Sequence, residues 1–260
     1  MSTPFQSDDA PWIAAAYDVL VDWDVRLELE SKLLGDLWKE FGVETLLDCG
    51  CGTGRHSVYW ANRGIRVKGI DQSATRIERA QQHALQMGVK ARFEVLSWND
   101  APSAVEQPVD AVMCLGNSLS AVADVENDTR LNRAISGMAG ALRPGGALIV
   151  QVVNYDAQWP DNIKKFPLRS GDVDGKPTIV WRQSVKEGDT IVVNALILRQ
   201  EQDGWAQYPD VTRHGPLTHD RMRSAVINAG CTVVKTLGGV GGEEFAPASS
   251  SDQWIVATRN

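Results

Sequence analysis

The chain has 260 residues, 43% apolar and 23% charged, which is enough for one large α/β domain or two small ones with a packed core. Lysine and arginine number 26 against 33 acidic residues; the net charge of -7 leaves no electrostatic footprint for nucleic acid or an anionic membrane and makes a small molecule the default partner. No run approaches the roughly 20 apolar residues of a spanning helix, and the start, MSTPFQSDDAPW, lacks a basic stretch followed by an apolar core, so a cytoplasmic protein without membrane contact is expected.

Residues 12–41 place apolar side chains at helical spacing, among them Leu27, Leu33, Leu34, Leu37 and Phe41, and stop at Gly42. They predict an N-terminal helical segment over 1–42. TLLDC then reads as a buried strand, HSVYWANRG as a helix, RVKGID as a strand, and SATRIERAQQHALQMG as a helix opened by Ser73 and closed by Gly88. Strands follow at ARFEVL and VDAVMCL, a helix at about 127–142, and a strand at ALIVQVV. Strands alternating with helices at this spacing predict parallel βαβ units with right-handed crossovers.

After about residue 155 the rhythm breaks. TIVWRQSV and IVVNALILRQ, joined by KEGD, predict a β-hairpin inserted at about 155–217. A helix from Thr218 to Gly230 and strands at CTVVKTL and QWIVATR resume the alternation, and GGVGGEEFAPASSS between those strands reads as a polar, flexible linker too loose to pack. The four cysteines, Cys49, Cys51, Cys114 and Cys231, show no CxxC pairing and are read as buried thiols in a reducing compartment; no metal-ligating cluster is present.

LLDCGCGTGRHS, residues 46–57, carries the chemistry. A glycine-rich turn between a first strand and a first helix lets backbone N–H groups face a ligand at the carboxyl edge of a parallel sheet. Gly50, Gly52 and Gly54 make G-x-G-x-G rather than the dinucleotide pattern G-x-G-x-x-G. Asp48, two residues before, would repel a pyrophosphate and favour a ligand carrying an ammonium and a sulfonium. Asp71, ending the second strand, stands where an acid accepts ribose hydroxyls.

The sequence resembles the class I S-adenosylmethionine-dependent methyltransferases through LLDCGCGTG, VKGID, VDAVMCLGNSLS and ALRPGGALIV. CLGNSLSAV and VVNYD narrow the resemblance to glycine N-methyltransferase and the bacterial glycine/sarcosine enzymes. It implies a doubly wound, seven-stranded, mostly parallel α/β sheet with an antiparallel last strand, in a domain over 43–260 whose inserted hairpin is a lid over the substrate. It further implies S-adenosylmethionine as cofactor and transfer of its methyl group to a small molecule, most simply an amine nitrogen. A hydroxylated metabolite as acceptor, a cofactor-binding protein without catalysis, and assembly into a homo-oligomer stay open.

Carried over residue by residue, the resemblance puts Asp48, Gly50 and Gly52 around the methionyl part of the cofactor, Asp71 on the ribose, and Gln72, Trp98 and Asn99 beside the adenine. Leu115 would lie near the sulfonium, Arg26 on the cofactor carboxylate, and Tyr17 would close over the same site. Asn117, whose amide both accepts and donates, is the candidate substrate-positioning residue. Tyr155 and His214 are candidate bases, and Asn154, Trp181 and Arg213 candidate substrate contacts. Trp159 and Trp205 are further candidate walls of an amine pocket. The position that holds a carboxylate-clamping arginine in the glycine enzymes is Val153 here, so a buried substrate carboxylate would need another cation, Arg182 or Arg213.

Overall fold

The computed structural model describes residues 11–260, so the first ten residues of the expected N-terminal segment lie outside it. The helical periodicity over 12–41 resolves into two helices, α1 (Pro11–Val19) and α2 (Trp23–Phe41). Asp22 separates them by capping α2, its carboxylate accepting from the Val25 N–H, and Gly42 ends α2 at φ 62°. Both signals belong to helix ends: a side-chain acceptor for orphan N–H groups, and a residue free of the left-handed penalty.

The alternation that follows is β1 (Thr45–Cys49), α3 (Arg55–Ala61), β2 (Arg66–Asp71), α4 (Ala74–Gln86), β3 (Arg92–Val95), β4 (Val109–Cys114), α5 (Thr129–Gly140) and β5 (Leu142–Val153). Past an inserted segment come α6 (His219–Asn228), β11 (Cys231–Leu237) and β12 (Asp252–Arg259). They build one seven-stranded sheet in the order β11-β12-β5-β4-β1-β2-β3. The last strand, β12, runs antiparallel to both β5 and β11, and β1 runs parallel to β2 and β4. This is the expected doubly wound architecture.

Strand alternation sorts the core onto the two faces of the sheet. Leu46, Met113 and Ile149 pack with Leu34, Leu37, Trp38 and Trp60 on the α2–α3 side. Their chain neighbours Leu47, Val112 and Leu148 pack with Leu131, Ile135 and Met222 on the α5–α6 side.

The insertion is larger than a hairpin. It is a five-stranded antiparallel sheet of β6 (Ile163–Lys165), β7 (Arg169–Val173), β8 (Lys176–Glu187), β9 (Thr190–Glu201) and β10 (Gly204–His214), in which the expected hairpin is the central β8–β9 pair. Helix α1 covers one side of this sheet, with Ile13 and Ala16 packed on Val173, Val180 and Ile197. The Gly215 N–H donates to Ala123 O at 2.6 Å, and Lys186 donates to the carbonyls of Tyr155 and Ala157, tying the inserted sheet to the main one.

The glycine-rich stretch after β11 is exposed over most of its length, as its polarity predicts, but it is anchored rather than loose, with Gly238 and Gly239 buried. Gly238 N–H donates to Glu243 O and Phe245 N–H to Thr236 O. The Asn154 amide donates to the carbonyls of Pro247 and Ser250 at 2.9 and 2.8 Å, so polarity here means backbone satisfied by a buried side chain rather than freedom.

Candidate active site

The carboxyl ends of β1, β2 and β4 meet at one edge of the sheet. Gly50, Gly52 and Gly54 all have positive φ (76°, 55° and 77°), and the N–H groups of Gly50 and Cys51 donate to Ile70 O, pinning the turn onto β2. A Cβ on Gly50 would lie 3.2 Å from Ser118 and 3.3 Å from the Trp98 ring, so the bare backbone leaves open a space that side chains following β4 and β3 already crowd.

Two carboxylates frame this turn. Asp48 is buried and accepts from Ser57 Oγ at 2.6 Å; burial, with Asp71 nearby, pushes its carboxyl up to about 6. Asp71 accepts from Gly52 N–H and Ser73 N–H, each at 3.0 Å, holding the glycine turn and the start of α4 together with one oxygen apiece. Trp98 is buried and lines the same cleft as Asp71 and Gln72, whereas Asn99 is exposed and outside it, its N–H spent on Ser97 Oγ. Leu115 lines the cleft, but its carbonyl accepts from Ser118 Oγ at 2.8 Å.

The opposite wall comes from the N-terminal helices. Arg26 lines the cleft and donates to Glu30 at 2.8 Å, and Glu30 meets His56 Nε2 at 2.5 Å. Burial alone would raise the Glu30 carboxyl, yet the bonds from His56 and Arg26 hold it below the ordinary value. Tyr17 donates to Asp210 of β10 at 2.7 Å, and its neighbour Asp18 accepts from Thr53 of the glycine turn and pairs with Arg55 at 3.1 Å. His56, Asp18, Thr53 and Ser118 were not among the expected site residues. His56 alone had a usable signal, since a helix that begins at a ligand turn presents its first-turn side chains to the cleft.

A second cavity, about 290 Å³, lies between the sheet edge and the inserted sheet. Tyr155, Trp159, Arg182, Asp210 and His214 line it, and Gly116, Ser118, Arg76 and Arg182 line both cavities. Asn117 sits at φ 63° on its floor. Its Oδ1 accepts from Val153 N–H at 3.0 Å and its Nδ2 donates to Tyr155 Oη at 2.8 Å. Burial pushes the Tyr155 phenol up to about 12, so it works as a donor rather than as a base.

Three expected substrate contacts stand elsewhere. Asn154 is buried with both amide groups spent, its Oδ1 accepting from Asp156 N–H and Ala157 N–H. Trp181 precedes Arg182 on β8, and because successive strand residues point to opposite faces, Arg182 lines the chamber and Trp181 does not. Arg213 precedes His214 on β10 and is exposed for the same reason. Trp205 is half exposed and off the chamber. Of the two arginines expected to supply a cation, Arg182 is the one at the chamber: its Nε is buried with no hydrogen-bond partner among the described residues, its guanidinium lies 4.1 Å over the Phe166 ring, and burial lowers its pKa.

Residues 46–146, which hold the glycine turn, Asp71 and the β4 edge, match the family model described as "Methyltransferase domain". Over these residues the chain is similar to that domain. Its sequence is 33% identical over 140 residues to a glycine/sarcosine N-methyltransferase of Parasynechococcus marenigrum, covering 54% of this chain and 49% of the relative. It is 32% identical over 139 residues to the Homo sapiens glycine N-methyltransferase, covering 50% and 47%. These matches thus span about half the length of the curated relatives. Among solved structures, the fold is similar to a S-adenosylmethionine-dependent methyltransferase of Clostridium acetobutylicum at 14% identity, TM-score 0.77, covering 95% of this chain and 97% of that one. It is also similar to a sugar N-methyltransferase of Streptoalloteichus at 20% identity, TM-score 0.74, covering 100% and 98%. The inserted sheet thus belongs to the methyltransferase fold these structures share, since they match over nearly the whole chain.

S-adenosylmethionine is the cofactor this domain implies, and the residues present fit it. The cleft offers a buried carboxylate for a cation at Asp48, an acid at the tip of β2, a flat apolar wall at Trp98, and a side-chain-free turn between them.

Proposed function

We propose that this protein transfers a methyl group from S-adenosylmethionine to a nitrogen of a small molecule held in the inner chamber. One observation carries the reading: the cofactor cleft and the chamber share Gly116 and Ser118 as a common wall at the end of β4. A methyl group presented in one cavity meets a nucleophile lodged in the other.

When bound, the cofactor supplies a methyl already activated by a sulfonium. What remains for the chain is to bind, orient and exclude water. Asp48 offers its charge to the cationic part of the nucleoside, and Asp71 receives the sugar hydroxyls while bracing Gly52. Gln72 and Trp98 border the base and Arg26, steadied by Glu30, faces the carboxylate. Tyr17 seals the seam between the two cavities through Asp210. Asn117 fixes the Tyr155 hydroxyl, whose own proton is then directed at the acceptor.

The glycine/sarcosine relatives and the sugar N-methyltransferase neighbour both support nitrogen as the acceptor atom. A chamber beside the cofactor cleft with a few convergent polar groups, Asn117, Tyr155 and His214, also weighs against a protein that only binds the nucleoside. Four unpaired cysteines support a reducing, cytoplasmic setting.

Calorimetry with S-adenosylmethionine and with NADH, followed by product-mass detection across a panel of amines and phenols, tests the reading. Binding of the sulfonium nucleoside and formation of an N-methylated product are expected. NADH binding in its place, or release of S-adenosylhomocysteine only with phenols, would overturn it.

A further inference from the structure

We propose that His214 receives the proton released by the acceptor nitrogen, an inference that rests on the methyl-transfer reading and adds a catalytic residue to it. His214 closes β10 and is buried, with its ring edge-on to Tyr155 at 5.6 Å between centroids. Its Nδ1 lies 2.8 Å from Gly215 O. A carbonyl only accepts, so Nδ1 carries the hydrogen and the lone pair of the neutral ring is on Nε2. That Nε2 is buried, has no hydrogen-bond partner among the described residues, and belongs to a side chain lining the chamber. A buried acceptor without a donor costs free energy, so its place is explained by a donor arriving with the ligand.

The tautomer is held from outside the chamber. Gly215 N–H donates to Ala123 O, so the residue whose carbonyl orients the ring is itself clamped to the loop after β4. The charged and titratable groups facing this space are Tyr155 from the loop after β5, Arg182 from β8, Asp210 from β10, Tyr17 from α1 and Arg76 from α4, with Arg221 of α6 behind Pro216. Asp210 keeps its charge while accepting from Tyr17, so two arginines and one carboxylate among the described residues face the space. Burial, against the opposing bond to Gly215 O, favours the neutral imidazole, and it likewise disfavours an acceptor entering as ammonium.

The acceptor thus binds as a neutral amine, an N–H directed at Nε2 and its lone pair free. As that lone pair forms the new C–N bond, the C–S bond breaks and its electron pair stays on sulfur. The nitrogen, now positively charged, passes its proton to Nε2, and the imidazolium returns it to water when the chamber opens. Nitrogen-15 NMR of the whole chain with S-adenosylhomocysteine bound reads the premise without turnover: hydrogen on Nδ1, none on Nε2, and titration below the ordinary histidine value. Hydrogen on Nε2 overturns the proposal even if methyl transfer proceeds. In kinetics with an amine from the panel, H214Q, whose amide oxygen still accepts a hydrogen bond, should keep KM within about threefold. Its kcat should fall at least about tenfold, with loss of the acid limb of the pH profile, whereas H214F should damage KM as well. A H214Q enzyme with the kcat and pH profile of the wild type also overturns it.

Discussion

The Asn117 amide bridges the backbone of Val153 and the hydroxyl of Tyr155, accepting from one at 3.0 Å and donating to the other at 2.8 Å. The asparagine after β4 and the tyrosine after β5 are therefore one unit, and a substrate met by Tyr155 is positioned by Asn117. Because Asn117 sits at φ 63°, Asn117→Gly removes the amide without backbone strain. It should lower kcat by about tenfold or more and leave the affinity for S-adenosylmethionine within about twofold. A steady-state comparison with a calorimetric titration separates the two, and a parallel loss of both would move Asn117 from acceptor to cofactor.

Asp48 gives a pH dependence with a definite sign. Its folded value of about 6 lies above the ordinary 3.8, so the free protein holds this proton more tightly than the unfolded chain does. The stability of the wild type relative to Asp48→Asn should therefore decline as pH rises from about 3.8 to 6 and be flat above. A cationic ligand favours the carboxylate, so affinity for S-adenosylmethionine should rise with pH through 6, with proton release visible as a buffer-dependent binding heat. Asp48→Asn should abolish that slope.

Asp71→Ala removes the carboxylate proposed to accept the ribose hydroxyls, together with the brace on Gly52 and Ser73. The dissociation constant for S-adenosylmethionine should rise at least about tenfold, ~1.4 kcal/mol. Equal affinity in the variant and the wild type would detach Asp71 from the sugar.

Gly69, in the middle of β2, is required by packing rather than by conformation. An added Cβ would stand 2.7 Å from the Phe93 ring and 2.9 Å from Cys51 Sγ. Gly69→Ala should destabilise the fold by about 1–3 kcal/mol in urea unfolding, and Phe93→Leu in the same chain should recover part of the loss. Cys51, half-buried and touching this position from the glycine turn, departs from the expected fully buried thiols.

Most strands of the main sheet were legible because each couples a short apolar run to a glycine or capping residue, a signal local in sequence; β3 is exposed over three of its four residues, and β5 begins at Leu142, before its apolar run. The inserted sheet was legible only at β8 and β9, its apolar centre. Strand β10 contains Pro209, which argues against a strand; it is tolerated because β10 pairs with β9 alone and lies at the sheet's edge. Strand β7, RSGDV, is exposed over four of its five residues and carries no apolar alternation to detect. Among candidate site residues, Trp181 and Arg213 missed the chamber by one position each. Which parity of a strand faces inward depends on how the sheet docks, and that is not written in the strand itself. Asn154 shows another limit: a buried asparagine reads alike whether it meets a ligand or its own backbone.

Tyr17 and Asp18 are adjacent on α1, yet one grips the inserted sheet at Asp210 and the other grips the glycine turn at Thr53. A short helix thus serves as a common lever for two ligands, Tyr17 lining both cavities and Asp18 the nucleoside's alone. Whatever order the nucleoside imposes on α1 lowers the entropy left for the acceptor to remove, and by reciprocity the acceptor must return the same factor in nucleoside affinity.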